Sequence, residues 1–271
     1  MEPKKGKQCN KVFIISILLL LLFLIVTGCE KEPDKIFLSG EKLFGEGKYT
    51  EASKKFSQII YEYPQSPLKD DALFRLGEIN ALFLKDYERA ILYFREVIER
   101  KPRSDRAYEA QNYIGSIYNS LEDYDRAIAA YQKLMNDFAQ RRDTDKIQMT
   151  VADIYLKKGD LEQSKIEYRI LMEQYPKSNL LDEAKFKLGN VLYALEDYRS
   201  AEKLFRELTD KGPGNPFFLD AEIEIARCLE EQEELDRAMR KYQEIKEKHP
   251  GNKIAILGIE RIKKRMEEKK R

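Results

Sequence analysis

Histidine occurs once in this chain, at position 249, and tryptophan not at all. A single histidine beside Pro250 has no partner with which to build a Ser/His/Asp set, and the sequence contains no HExxH pair. Its place at the end of a helical stretch suits a C-terminal cap. Cysteine appears at positions 9, 29 and 228 only. Two of these lie in or beside the N-terminal apolar segment, so neither a disulfide framework nor a CxxC metal site can be assembled. Cys228 alone reads as a small buried thiol. Glycine-rich phosphate loops are missing, and carboxylates show no metal-ligand spacing. Runs such as Glu230, Glu231, Glu233 and Glu234 read as a solvated helix face. Enzymatic, metal and cofactor chemistry therefore have no foundation in this sequence, and no small-molecule substrate is expected. Only 13 glycines and 9 prolines stand among 271 residues of which 36% are charged. That balance points to long surface-exposed helices rather than to sheets or disorder. The net charge is +1, and its excess is confined to the first 28 residues. Without a concentrated basic face, nucleic acid is not an expected partner.

One long apolar run is present. Lys4, Lys5, Lys7 and Lys11 precede Val12 to Val26, interrupted only by Ser16. As a helix the run reaches roughly 22 Å, short of the roughly 30 Å hydrocarbon core, so a secretory signal competes with a short membrane anchor. The sequence that follows, Val26-Thr27-Gly28-Cys29, resembles the processing site of bacterial lipoproteins. That resemblance implies a signal peptide over 1–28, lipid on Cys29 and a brief tether over 29–34. It places the folded part at a membrane surface in the cell envelope, with the periplasmic face of the outer membrane preferred to the inner membrane. Two or three acyl chains would make such an anchor stable.

Beyond the tether the chain repeats. Small residues followed four positions later by an aromatic occur at Ala52/Phe56, Ala90/Phe94, Ala127/Tyr131, Ser164/Tyr168, Ala201/Phe205 and Ala238/Tyr242, spaced by 38 once and then by 37. Twelve residues before the small position stands Gly40, Gly115, Ala152, Gly189 or Ala226, with Gly77 displaced by one. Eight after the aromatic comes Pro64, Pro102, Pro176, Pro213 or Pro250, with Ala139 breaking the series. Each column has a physical cause. Small residues in facing helices allow close approach, the aromatic fills the wedge towards the neighbouring hairpin, and proline ends the second helix because it lacks the required N–H. Glu46-Gly47-Lys48-Tyr49 and Leu121-Glu122-Asp123-Tyr124 supply turns. Ser66-Pro67 reads as a helix N-cap and first residue, with Asp70 and Asp71 in the first turn.

These columns resemble the tetratricopeptide repeat over residues 35–250. The implied fold is all-α, a superhelical solenoid of about six helical hairpins. Two departures stand out. The period is longer than the family's usual 34, and a position usually occupied by alanine holds Ile59, Val97, Leu134, Leu171, Leu208 and Ile245. With the Tyr-Pro-x-Ser ends at Tyr63–Ser66 and Tyr175–Ser178, the pattern is similar to an envelope subclass. That subclass includes the BamD-type lipoproteins of outer-membrane β-barrel assembly and the Tol–Pal coordinator CpoB. The fourth unit is the least regular, and its junction from Phe138 to Asp145 reads as a hinge or as a variant connection. Residues 251–271 read as a capping helix, with Ile254, Leu257, Ile262 and Met266 covering the last repeat.

In the family the first helix of each hairpin lines a groove. Carried over, that groove holds Phe37, Glu41, Phe74, Glu78, Asn112, Met149, Phe186 and Asn190, aromatic and acidic at its N-terminal end. Phe37 and Phe74 are its anchors, or else they pack between helices. The family's basic clamp for C-terminal carboxylates is unmatched, since its first column here is Asp34, Asp71, Glu109, Lys146, Glu183 and Asp220. The resemblance implies a non-enzymatic scaffold for protein or peptide partners, held to the membrane through Cys29. BamD-like outer-membrane assembly leads. A pilus or secretion lipoprotein of the PilF/PilW type, or a peptide- or glycan-binding accessory to cell-wall enzymes, is the alternative.

Overall fold

A computed structural model describes residues 32–139, 141 and 143–269. The signal segment, Cys29 and most of the tether lie outside the described residues. Among those described, thirteen α-helices and no strand are found. They pair as six hairpins: α1 (Glu32–Gly45) with α2 (Tyr49–Glu62), α3 (Lys69–Glu78) with α4 (Tyr87–Arg100), α5 (Asp105–Ser120) with α6 (Tyr124–Asp137), α7 (Thr144–Lys158) with α8 (Leu161–Gln174), α9 (Leu181–Ala194) with α10 (Tyr198–Thr209), and α11 (Phe218–Glu231) with α12 (Leu235–Lys248). A last helix, α13 (Lys253–Glu268), follows. The helices form two compact units, one ending at Ala110 and one beginning at Gln111.

The hairpin turns share one geometry. A residue in the left-handed region stands at Gly47, Lys85, Glu122, Gly159, Glu196 and Glu233, a column with the same spacing as the rest. Five of these turns close with a bond five residues back, as in Asp123 N to Tyr118 O at 2.9 Å and Asp197 N to Leu192 O at 2.9 Å, which satisfies carbonyls at the helix end. An aspartate then caps the second helix. Asp86, Asp123, Asp160 and Asp197 accept from the backbone N–H three residues on. Between hairpins, Ser66 and Ser178 do not cap a helix. Their hydroxyls accept from Leu68 N and Leu180 N, closing a turn, and the next helices begin at Lys69 and Leu181. The expected cap at Ser66 is thus displaced, because the hydroxyl bonds locally before the helix starts. Asp70 and Asp71 keep their place in the first turn.

Glycine meets the aromatic ring, not the alanine. A Cβ added to Gly40 would lie 2.8 Å from Phe56, to Gly77 2.5 Å from Phe94, to Gly115 2.8 Å from Tyr131 and to Gly189 2.6 Å from Phe205. The ring therefore lies flat across its own hairpin, where the expectation placed it in the wedge towards the neighbour. Each ring is buried, as is the alanine or serine one turn before it. Where alanine replaces the fourth glycine, Ser164 donates to the Ala152 carbonyl at 3.0 Å and the Tyr168 hydroxyl donates to Asp153.

The extra residue in the 38-residue interval has a structural counterpart. Helix α3 does not end at Glu78 but continues as a π-helical turn over Ile79–Leu84. A wider turn takes up one inserted residue without displacing Gly77 from the Phe94 ring. Asn80 then donates to the Leu76 carbonyl at 2.7 Å. Beyond it Phe83 stacks on Tyr49, with ring centres 3.6 Å apart, and meets Phe44 edge-on.

In the second unit, α13 closes the core with Ala255, Gly258, Ile259 and Ile262. Ile254 and Leu257, expected to cover the last repeat, are 50% and 58% exposed. The phase is set by Gly258, whose added Cβ would lie 2.6 Å from the Tyr242 ring. Glu230 also departs from expectation: it is 2% exposed rather than solvated. Arg261 grips it through two hydrogen bonds of 2.5 and 2.6 Å, and Arg265 adds a third contact at 3.3 Å. Burial opposes its charge, but the two guanidiniums outweigh that and lower its pKa. His249 caps α12 through its backbone, donating to the Ile245 carbonyl at 2.8 Å. Cys228 is buried and free, and burial pushes its thiol up to about 12.

Gly77→Ala should cost about 1–3 kcal/mol, because the ring of Phe94 must give way to the new methyl. Gly214→Ala, which meets nothing within 4 Å, should change the denaturant midpoint by under about 0.5 kcal/mol equivalent. Because folding lowers the pKa of Glu230, its contribution is complete above the ordinary value of 4.5 and is lost as pH falls through the folded value. Thermal melts from pH 7 to pH 3 should therefore show a shallower acid slope in Glu230→Gln than in wild type.

Candidate functional site

The first helices of the hairpins carry the residues assigned to the groove. In the first unit Phe37, half-buried, packs edge-on against Phe56 with centres 5.4 Å apart. Phe74 is 2% exposed, meets Phe94 at 5.6 Å and is covered by the Arg106 guanidinium 4.6 Å above its ring. Its geometry matches the packing alternative, because a side chain this buried cannot reach a partner without displacing Arg106. Phe37 keeps a partly open edge.

Glu41 and Glu78 share one cation. Arg75 donates to both oxygens of Glu41 at 2.7 and 2.9 Å, and to Glu78 at 2.7 Å. Burial works against the charge of Arg75, but the two carboxylates outweigh it and raise its pKa. Arg106 repeats the arrangement between Asp71 and Glu109 at 3.0 and 2.8 Å. The acidic residues of this face are therefore matched by arginines, and the face is less acidic than its carboxylates alone suggest.

In the second unit Asn112 and Ser116 are exposed, Met149 is buried, and Asn190 is half-exposed. Phe186 is wedged between Phe205, edge-on at 5.6 Å, and Phe217, stacked at 5.3 Å. Lys187 reaches Asp153 at 2.8 Å and Glu183 at 3.0 Å. The Glu41–Arg75 and Asp153–Lys187 pairs are both 34 residues apart, so they are the same bond made in two different repeats. That recurrence stands in the sequence as an acidic residue followed 34 places later by a basic one. Arg227, bonded to Glu224 at 2.9 Å, lies 4.6 Å above the Tyr193 ring.

Among the described residues no group of His, Cys, Asp or Glu gathers as a metal site, and no helix is long and apolar enough to cross a membrane. Each unit thus offers first helices that carry ion pairs and aromatic rings, with Phe37 partly open in the first unit and Asn112, Ser116 and Asn190 reaching solvent in the second. Phe74→Ala should destabilise the protein by about 3–5 kcal/mol in chemical denaturation, as expected for an emptied core site. Asn112→Ala should leave it unchanged within about 0.5 kcal/mol. A neutral outcome at Phe74 would show that its ring is not part of the packing.

Comparison with known proteins matches this architecture. The tetratricopeptide repeat family matches residues 37–105, 80–142 and 186–253, and a second model of the same repeat matches 149–178. No curated protein matches the sequence. Among solved structures, a tetratricopeptide repeat protein from Parabacteroides merdae is 14% identical, with 86% of this chain and 92% of that chain covered and a TM-score of 0.55. The C-terminal part of a repeat protein from Cytophaga hutchinsonii is 17% identical, with 78% of each chain covered and a TM-score of 0.59. PilF of Pseudomonas aeruginosa is 14% identical, with 86% and 97% covered and a TM-score of 0.50. At these identities the likeness is one of fold. The repeats match over more than half of the chain, with four of the six hairpins built on one ring-and-glycine contact, and the chain belongs to the tetratricopeptide repeat family.

Proposed function

We propose that this protein is a lipid-anchored scaffold of the bacterial cell envelope that holds protein partners, most like the BamD-type lipoproteins of outer-membrane assembly. The repeat fold is generally a non-catalytic platform for protein interaction, and the scaffold reading rests on it. The envelope reading rests on one observation, the order of basic segment, apolar run and Val26-Thr27-Gly28-Cys29. Lipid on Cys29 would hold α1, which begins three residues later, close to the membrane surface. Function in such a platform belongs to the surface and its partner, not to the fold.

A pilus-assembly role is the second reading, favoured by the presence of PilF among proteins of similar fold. Both readings are tested by one experiment. The native lipidated protein is isolated from its own cells in mild detergent after membrane fractionation, and stoichiometric companions are identified by mass spectrometry. A β-barrel assembly component in the outer-membrane fraction is the expected result, and pilus components would move the assignment to the second reading. Cys29→Ser should release the protein from the membrane fraction. If the variant stays membrane-bound, the lipid-anchor reading fails.

A further inference from the structure

The face formed by the second helices of the first unit departs from the repeat in three columns at once. Three residues after the glycine column, five hairpins carry Leu43, Tyr118, Tyr155, Leu192 or Leu229, and the second carries Asn80. One residue after the alanine column, Ser53 stands where the others have Ile91, Ile128, Lys165, Glu202 and Met239. Five after it, Ser57 stands where the others have Arg95, Gln132, Arg169, Arg206 and Gln243. At each position the long side chain is missing only here. The three meet at one place, in the wall of a groove of about 710 Å³ between α2 and α4 with α3 beneath.

The groove wall holds one buried polar atom with nothing to bond. Ser53 Oγ, on α2, is buried and makes no hydrogen bond among the described residues. Across from it Asn80 is 4% exposed, and its carboxamide N–H donates to Leu76 O. Buried polar groups of this kind are rare, because each costs about 1–3 kcal/mol unless a partner is supplied. Exposed Tyr61 and half-buried Tyr93 flank one end. Lys54, exposed and without an ion-pair partner among the described residues, also lines the groove, as does Arg89, which pairs with Asp86 at 3.2 Å.

From this geometry we infer that the α2–α4 groove is a second binding site, which takes an extended peptide segment bearing an acidic residue. A carboxamide presents an acceptor and a donor side by side, the complement of a peptide group's N–H and C=O. The lining of α2 runs from Thr50 to Glu62, roughly 18 Å at 1.5 Å per residue. That length spans five or six residues of extended chain at about 3.3 Å each. The tyrosines would hold an apolar side chain of the segment, and Lys54 would hold its carboxylate. This site lies on the second helices, away from the first-helix face, and it does not depend on lipid at Cys29.

The test uses the full chain in detergent and a phage-displayed library of random dodecapeptides, followed by fluorescence polarisation of the enriched sequences. Asn80→Leu and Ser57→Gln restore residues that other hairpins carry at those columns, so both variants should fold, and their melting curves check this. Enriched peptides should contain Asp or Glu, bind both variants at least about tenfold more weakly, lose affinity on Lys54→Glu, and bind Asn112→Ala and Cys29→Ser as they bind wild type. Failure to enrich any sequence, or equal binding to Asn80→Leu and wild type, would overturn the inference. So would self-association in sedimentation that Ser57→Gln abolishes, since the groove would then belong to a second copy of the chain. The Cys29→Ser result separates this site from the anchor reading, because peptide binding that survives in a released protein stands without the membrane.

Discussion

An aromatic ring pressed against the bare backbone of a glycine sets the spacing within the hairpins. At Gly40, Gly77, Gly115 and Gly189 an added methyl would lie within 2.8 Å of the ring, a distance at which something must shift. Because the ring and the glycine sit on partner helices, their contact sets both the separation of the helices and their relative rotation. The other columns take their places from it. The alanine one turn before the ring is buried, the left-handed turn residue closes the tip, and the proline ends the second helix. The same contact accounts for the two irregular places. In the second hairpin an added residue is taken up by a π-helical turn beyond Gly77, so the ring keeps its glycine. At the C-terminus Gly258 meets Tyr242 from the following helix and thereby decides which face of α13 is buried.

Charge is organised on top of this packing. Exposed ion pairs contribute little each, on the order of 0–1 kcal/mol, yet their arrangement shapes the face a partner meets. Arg75 and Arg106 each bridge two carboxylates, and Lys187 does so in the second unit. A face read as acidic from its glutamates is thereby close to balanced. Glu230 is the buried extreme. Its carboxylate is tolerable only because Arg261 and Arg265 reach it from α13, so the last helix satisfies the last hairpin as well as covering it.

The two faces of the first unit differ in kind. On the first-helix side, rings and charges satisfy one another, as at Phe74 under Arg106. On the second-helix side, Asn80, Ser53 and Ser57 replace larger residues, and the Ser53 hydroxyl is left without a hydrogen bond among the described residues. A repeat protein gains specificity where one copy departs from its own rule, because identical copies would present the same surface along their whole length. The departure here is concentrated in one groove and coincides with the helical irregularity that the inserted residue creates.

The helical hairpins, their number and their ends could be read from the sequence, because the period, the glycine and aromatic columns and the prolines are all local signals. The aspartate caps and the 34-residue ion-pair spacing were equally present in it, and only recurrence across repeats makes them visible. Which of the groove residues reach solvent was not legible. Phe37, Phe74 and Phe186 occupy the same column in three repeats, and their exposure depends on what the neighbouring helix lays across them, such as Arg106 over Phe74 and Phe217 beside Phe186. Glu230 was misread for the same reason, since its partners stand 31 and 35 residues away. Periodicity determines which residues share a face of a helix. Burial is decided by the next helix to pack on that face, and only the tertiary structure brings it there.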